Sequence, residues 1–393
     1  MKKRALKLVL IVMMAAVFMP PILTLAAPKP FYYVGWLPFW KKESGTADIS
    51  QNFEKLKEVS PFSYEVSSDG TLRDKLKINE GLWPEWLKAA RAAKVKIIPT
   101  IAWFRGEEIH NLLSNKRLRL AHEDAIAKLV KDHKFDGIDI DYEAKKAETS
   151  PYFSLLIQGL AIRLHPKNKI LACTIESRTP AASLHDTTVD ETQYANDYVV
   201  LNRYCDEVRV MAYDQGTIDL KLDTSKGNGN LYAPVADPDW AEKVIKEAIK
   251  TISRKKIMLG VPTYGYEYEV GWNDGVTTYR RLRSVNFFTA MDLAEAINIS
   301  PTRNNAGEIG FTYVTSTFFE VSPVLKWEVS STLPQNFPSA TLNTTSSVAR
   351  FVSFTDAEAV RQKIKLAKKY GLKGVALFKL DGEADPLIWE EMK

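Results

Sequence analysis

The chain switches repeatedly between two spacings of its apolar residues. Phe31 to Trp36 is an aromatic and β-branched run and reads as a strand. Ser50 can cap a helix ending near Val59, and Phe62–Val66 reads as a weak strand. A helical stretch over Trp83–Ala93 precedes the strand-like run Lys96–Ala102. Pro99, which has no N–H, counts against a central strand there. Leu118, Ala121, Ala125, Ile126 and Leu129 recur at helical spacing. The strand Gly137–Tyr142 follows, then a helix with Pro151 in its first turn that ends near Leu164. Strand Ile170–Ile175, helix Ala195–Tyr204, strand Glu207–Tyr213, helix Pro238–Thr251 and strand Lys256–Val261 continue the alternation. A helix over Asp356–Tyr370, stopped by Gly371, leads to a last strand, Gly374–Lys379.

Strands alternating with helices imply a parallel sheet, and about eight of them favour an α/β fold closed as a (β/α)8 TIM barrel. One interval breaks the rhythm. Between Tyr264 and Ala349 the chain is far longer than one helix requires, and it holds a helical patch (Phe288–Ile297) and strand-like patches (Ile309–Val314, Val324–Val329). This predicts a small α+β insertion over 266–348, between strands 7 and 8 of a barrel over 27–393.

Composition changes the picture at the N-terminus. Lys2, Lys3, Arg4 and Lys7 precede an apolar run from Leu8 to Ala27, and Thr24-Leu25-Ala26 has the small-x-small form of a cleavage site. Residues 1–26 therefore read as an export signal, either cleaved or kept as a membrane anchor through 8–27. The body is expected to be secreted or held at the cell surface. Most of the formal charge of +5 lies in this segment. The nearly neutral remainder gives no reason to expect a nucleic-acid partner. The five histidines and two cysteines show no metal-ligand spacing, so neither metal nor cofactor is implied. Cys173 and Cys205 read as two buried free thiols in preference to a disulfide.

The most informative segment is Asp136-Gly137-Ile138-Asp139-Ile140-Asp141-Tyr142-Glu143. Strand side chains alternate, so Asp139, Asp141 and Glu143 share one face, about 6.6 Å apart, and Ile138, Ile140 and Tyr142 the other. In a barrel the apolar face meets the helices and the acidic face lines the interior. Glu143 falls at the C-terminal rim, where barrel active sites form. Carboxylates this close push one another toward the neutral form. A protonated Glu143 beside an ionised Asp141 makes an acid and an electrostatic partner. A divalent-metal cluster is the weaker reading, since no other acidic strand end supports it. Aromatics at the expected strand ends (Trp36, Trp40, Trp103, Tyr264, Tyr266) suit the apolar faces of sugars. Glu176 and Arg178, at the end of the fifth strand, read as substrate contacts or as a structural ion pair.

The eight residues Asp136–Glu143 resemble the DGxDxDxE signature of glycoside hydrolase family 18, the chitinase-like enzymes. Val210-Met211-Ala212-Tyr213-Asp214, Gly260-Val261-Pro262-Thr263-Tyr264-Gly265 and Gly374-Val375-Ala376-Leu377-Phe378 look like its sixth-, seventh- and eighth-strand motifs. Ser60-Pro61-Phe62-Ser63-Tyr64 and Leu112-Leu113-Ser114-Asn115 look closest to bacterial spore-germination and cortex-lytic members. The resemblance implies a retaining glycosidase acting on peptidoglycan or chitin-like glycans next to an N-acetylglucosamine. Glu143 would protonate the glycosidic oxygen, and the substrate's own acetamido oxygen would attack the anomeric carbon. Asp141 would orient the acetamido group, Asp139 would hold Asp141 from beneath, and Tyr213 would bond the acetamido oxygen. Met211 and Asp214 would line the same subsite. Trp36, Trp103, Tyr264 and Phe378 would meet the sugar, Phe378 in place of the family's floor tryptophan. The SxGG motif of typical chitinases is absent, with Trp103-Phe104-Arg105-Gly106 near its place. A barrel that binds glycan without cutting it is the alternative.

Overall fold

In the computed structural model, which describes residues 30–178, 194–273, 276–316 and 347–393, eight parallel strands close on themselves. They are β1 (Tyr32–Pro38), β2 (Glu58–Val66), β3 (Thr100–Trp103), β4 (Gly137–Tyr142), β5 (Ile170–Glu176), β6 (Glu207–Met211), β7 (Ile257–Pro262) and β8 (Gly374–Phe378). β1 pairs with both β8 and β2, which shuts the barrel. Helices follow the strands and cover the outside, so the fold is the (β/α)8 barrel that the alternation predicts.

Side-chain parity divides the core in two. Ile138, Ile140 and Tyr142 of β4, with Val208 and Val210 of β6, join the large cluster between strands and helices. Val34, Trp36, Phe62, Ala102, Met258 and Ala376 form a smaller cluster inside the barrel. Close strand packing explains Gly137: a Cβ there would lie 2.2 Å from the Ile170 carbonyl oxygen on the neighbouring strand.

Several local expectations are corrected. The helix near Ser50 ends there instead of starting: it spans Lys42–Ser50, and the Ser50 hydroxyl donates back to the Thr46 carbonyl (2.6 Å). The residues that follow become β2, longer than its sequence signal and buried on both faces. Pro99 does interrupt its strand, which appears as Lys96–Ile97 and then β3. β6 stops at Met211, so Tyr213 stands beyond the strand. Cys173 and Cys205 are bonded to each other, not free. Cys173 points outward from β5, and Cys205 ends the helix Tyr198–Tyr204 that leads to the adjacent strand β6, so the connection brings the two together.

The insertion leaves β7 and re-enters before the helix Ala357–Lys369. Its strands Tyr264–Asn273, Val276–Asn286, Thr302–Arg303, Ile309–Ser316 and Ser347–Phe354 form one antiparallel sheet, backed by the helix Phe287–Ala296. The strand-like patch Val324–Val329 and the segment 1–26 lie outside the described residues. Among the described residues no helix is long and apolar enough to cross a membrane.

Candidate active site

The inside of the barrel is built upward in charged layers. At the base, Arg209 is fully buried and its guanidinium meets Glu58 (3.2 Å), Glu207 (3.1 Å) and the Ser60 hydroxyl (2.6 Å). It also reaches Asp139 at 3.4 Å. Burial and then the Glu207 carboxylate raise Glu58 to about 7. Burial opposes ionisation of Glu207 too, but Arg209 and Lys373 outweigh it and bring that carboxyl below its ordinary value. This cluster went unread in the sequence, although the inward parity that places Tyr213 and Met211 also places Arg209 and Glu207.

Asp139 occupies the next layer. It accepts hydrogen bonds from Trp36 Nε1 (2.9 Å), Thr100 Oγ1 (2.8 Å) and Thr174 Oγ1 (2.8 Å). Its hydrogen bonds thus run to the barrel walls, and its effect on Asp141 is through charge. Trp36 is only 2% exposed and serves as a donor beneath the site, so it does not form a rim platform for sugar.

Asp141 lies above, 4% exposed, and its Oδ1 has no hydrogen-bond partner. Burial first, then the charges of Glu143 and Asp139, push its carboxyl well above the ordinary range. The upward direction works against the ionised Asp141 expected from the sequence. Glu143, one residue past β4, is partly exposed, and its N–H donates to the Trp103 carbonyl (2.8 Å). Burial and the Glu176 carboxylate raise it to about 7. Both carboxyls of the pair are thus pushed upward, the deeper one chiefly by burial.

Aromatic rings wall the site on the β6–β8 side. Phe378 stacks on Tyr213 (5.6 Å between centroids, 13° between planes) and meets Trp36 and Tyr264 edge-on at 5.9 and 5.8 Å. Burial and then Asp141 raise the Tyr213 phenol well above its usual value, so it stays a donor. Gly260 makes room for this ring: a Cβ there would lie 2.9 Å from Tyr213 Cε1 and 2.5 Å from the Val210 carbonyl oxygen. Asp214 has a left-handed backbone (φ 59°) and accepts from the hydroxyls of Tyr264 (2.6 Å) and Tyr266 (2.7 Å), the first residues of the insertion. Met211 packs against the same aromatic group.

Other expected contacts fall elsewhere. Trp103 is 2% exposed and faces the helix layer, edge-on to Tyr142 at 5.5 Å. Counting from Thr100, whose hydroxyl points inward to Asp139, its outward parity follows. The next residue, Phe104, is 49% exposed, stacked near Phe62 (6.4 Å, 15°), and Trp40, also 49% exposed, meets Phe62 edge-on. These rings line the rim on the β1–β3 side. Phe104 stands in a turn, where no periodicity marks it. Glu176 pairs with the buried Lys145 (3.4 Å) and accepts from Asn196 Nδ2 (2.7 Å) and the Ala144 N–H (3.2 Å). Arg178 lies over the rings of Tyr198 (3.9 Å) and Tyr194 (4.4 Å), so the Glu176–Arg178 pair is replaced by separate partners.

A raised carboxyl at the rim, a buried second carboxyl below it and an aromatic wall beside them give a barrel site of the glycosylase class. Residues 44–383 match the family model for glycosyl hydrolases family 18. The chain belongs to that family and is a chitinase-like glycosylase. It is 25% identical over 291 residues to the uncharacterised glycosylase YvbX of Bacillus subtilis, covering 74% of this chain and 70% of that protein. The fold is similar to that of the spore cortex-lytic enzyme SleL of Bacillus cereus, with a TM-score of 0.68 and 18% identity over 93% of this chain and 74% of that one. It is also similar to the family 18 chitinase of Cycas revoluta, solved with (GlcNAc)3, with a TM-score of 0.65 and 15% identity over 92% of this chain and 98% of that one.

Proposed function

We propose that the protein is an exported, retaining glycosidase that cuts β-linked N-acetylglucosamine glycans by substrate-assisted catalysis. The observation that carries the reading is the position of two carboxyls on one strand end, Glu143 partly exposed at the rim and Asp141 beneath it, 4% exposed with an unpartnered oxygen, both raised above their ordinary values. Asp141 is sunk below the rim on the same strand as the acid, and burial disfavours its charged form, which suits orienting a bound group more than attacking the sugar. The attacking atom is then the substrate's acetamido oxygen, a scheme the family is known to use. Glu143 gives its proton to the leaving glycosidic oxygen. Tyr213 donates to the acetamido oxygen, and Asp141 orients the acetamido N–H. As positive charge develops on the oxazolinium, it favours the ionised form of Asp141, which burial and the neighbouring carboxylates oppose.

The likeness to a spore cortex-lytic enzyme supports a peptidoglycan substrate, and the (GlcNAc)3 bound by the Cycas enzyme supports chitin oligomers. The test compares turnover on paired acetylated and deacetylated oligomers, with product masses recorded for peptidoglycan and chitin substrates. The deacetylated sugar should bind and resist cleavage, and a thiazoline mimic of the intermediate should inhibit. Comparable rates on both sugars would overturn the mechanism. Binding without cleavage of either glycan would favour the lectin-like alternative.

A further inference from the structure

The end of the barrel opposite Glu143 carries a concentration of lysine. Lys94 and Lys96 precede β3, Lys131 and Lys134 precede β4, and Lys167 and Lys169 precede β5. These strands are neighbours, so the three pairs stand side by side at one face. None of the six ion-pairs with an acid among the described residues, although most charged pairs elsewhere on the surface do so. The acids on this side are turned to other partners and keep their charge: Asp136 accepts the Ile97 N–H (2.9 Å), Asp206 accepts the Leu171 N–H (2.9 Å) and meets His165 (3.1 Å), and Asp132 is bonded to Lys128, so lysine still outnumbers them here. Glu54, before β2, is the exposed exception. Between the helix ends before β4 and β5 lies a groove of about 240 Å³, with an apolar floor of Ala127, Val130 and Leu164 and a rim of Lys131, Lys134, Lys167 and Lys169.

Helix dipoles explain part of this, because helix C-termini gather at the same end and favour cations. They do not explain Lys96 and Lys169, which stand at strand starts. At Lys94 and Lys134, just past two helix ends, the dipole favours a cation, but the backbones are left-handed (φ 63° and 55°), where glycine costs least, so lysine stands there against the conformational preference.

We propose that this face docks on an anionic phospholipid surface, with lipid phosphates at the lysine rim and the catalytic end turned away toward the glycan. Clustered lysines gain affinity additively near anionic lipid, and salt screens them. A membrane is favoured over another polyanion because the groove between the lysines has an apolar floor of Ala127, Val130 and Leu164, which suits the boundary between lipid headgroup and acyl chain and offers nothing to a purely polar polyanion. Docking here rests on the charge of the face and does not require the glycosidase reading.

The experiment is co-sedimentation of the full chain with phosphatidylcholine vesicles, with and without phosphatidylglycerol, at low and high salt. Wild type should prefer the anionic vesicles and lose that preference in salt. Lys131→Glu, Lys167→Glu and Lys169→Glu, combined with Lys94→Gly and Lys134→Gly, should weaken anionic-vesicle binding at least about tenfold and leave turnover on a soluble oligosaccharide unchanged. The Lys94→Gly, Lys134→Gly pair alone removes charge at positions whose backbone suits glycine and should show a smaller loss in the same direction. Replacing all five by arginine should keep the binding. Equal partition onto neutral and anionic vesicles, or a charge-reversed chain that binds like wild type, would overturn the proposal. So would tight binding to soluble poly(glycerol phosphate) with none to vesicles, which would assign the face to a wall polymer.

Discussion

Glu143 shows how much the function depends on the surroundings of one side chain. Glu143→Gln keeps the shape and removes the proton, so turnover should fall by roughly 10²–10⁴ while glycan binding is retained. Unchanged turnover would remove Glu143 as the acid. Burial and Glu176 hold its proton up to pH about 7, so the acid is loaded below that pH and lost above it. The kcat/KM profile on a neutral oligosaccharide should therefore show an alkaline limb centred near pH 7. The same shift links pH to stability. An unfolded glutamate ionises near 4.5, so the native state loses stability as pH rises from there through about 7. Glu143→Gln has no carboxyl to ionise. Its melting temperature should gain on wild type between pH 5 and pH 8, and a constant difference would argue against a buried, raised carboxyl.

At the scale of elements, the site depends on how closely neighbouring strands approach. β7 presents no side chain at Gly260, and the Tyr213 ring uses that space to lie on Phe378. Gly260→Ala would press a methyl against that ring and against the β6 backbone. It should cost about 1–3 kcal/mol of stability through overpacking. It should also reduce kcat more than it raises KM, because Tyr213 acts most as charge develops on the acetamido group. Steady-state kinetics beside a denaturant titration separate the two effects. A loss of stability with kcat intact would mean that the Tyr213 position is not critical.

Across the whole molecule, the Cys173–Cys205 bond ties β5 to the approach to β6 over a separation of 32 residues. By loop-closure entropy this stabilises the fold by roughly 3–4 kcal/mol. A Cys173→Ala, Cys205→Ala chain should unfold at lower denaturant, and a reductant should lower the midpoint of wild type but not of the double variant. No response to reductant would mean that the thiols are unpaired in solution. A bond of this kind persists in an oxidising compartment and is reduced where glutathione or thioredoxin keep thiols free.

The barrel and its acidic strand were legible in the sequence because they rest on local rules. Alternating strand and helix patterns specify a parallel barrel, and side-chain parity alone places Asp139, Asp141 and Glu143 on the inner face. The family resemblance added Tyr213, Met211 and Asp214, which the fold gathers around one aromatic wall. What the sequence left open depends on distances between segments remote in the chain. Trp103 faces the helices because Thr100, its strand-mate, points inward to an aspartate 39 residues away. The cysteines pair because two neighbouring strands bring them together. Arg209 is buried among carboxylates because β2 and β6 meet across the barrel, although Glu58 and Arg209 lie 151 residues apart. The Asp141 carboxyl is pushed upward because closure of the barrel buries it, leaves one of its oxygens without a partner and sets it beside Glu143 and Asp139. Periodicity determines which face a residue takes, and tertiary closure decides which charges that face must share.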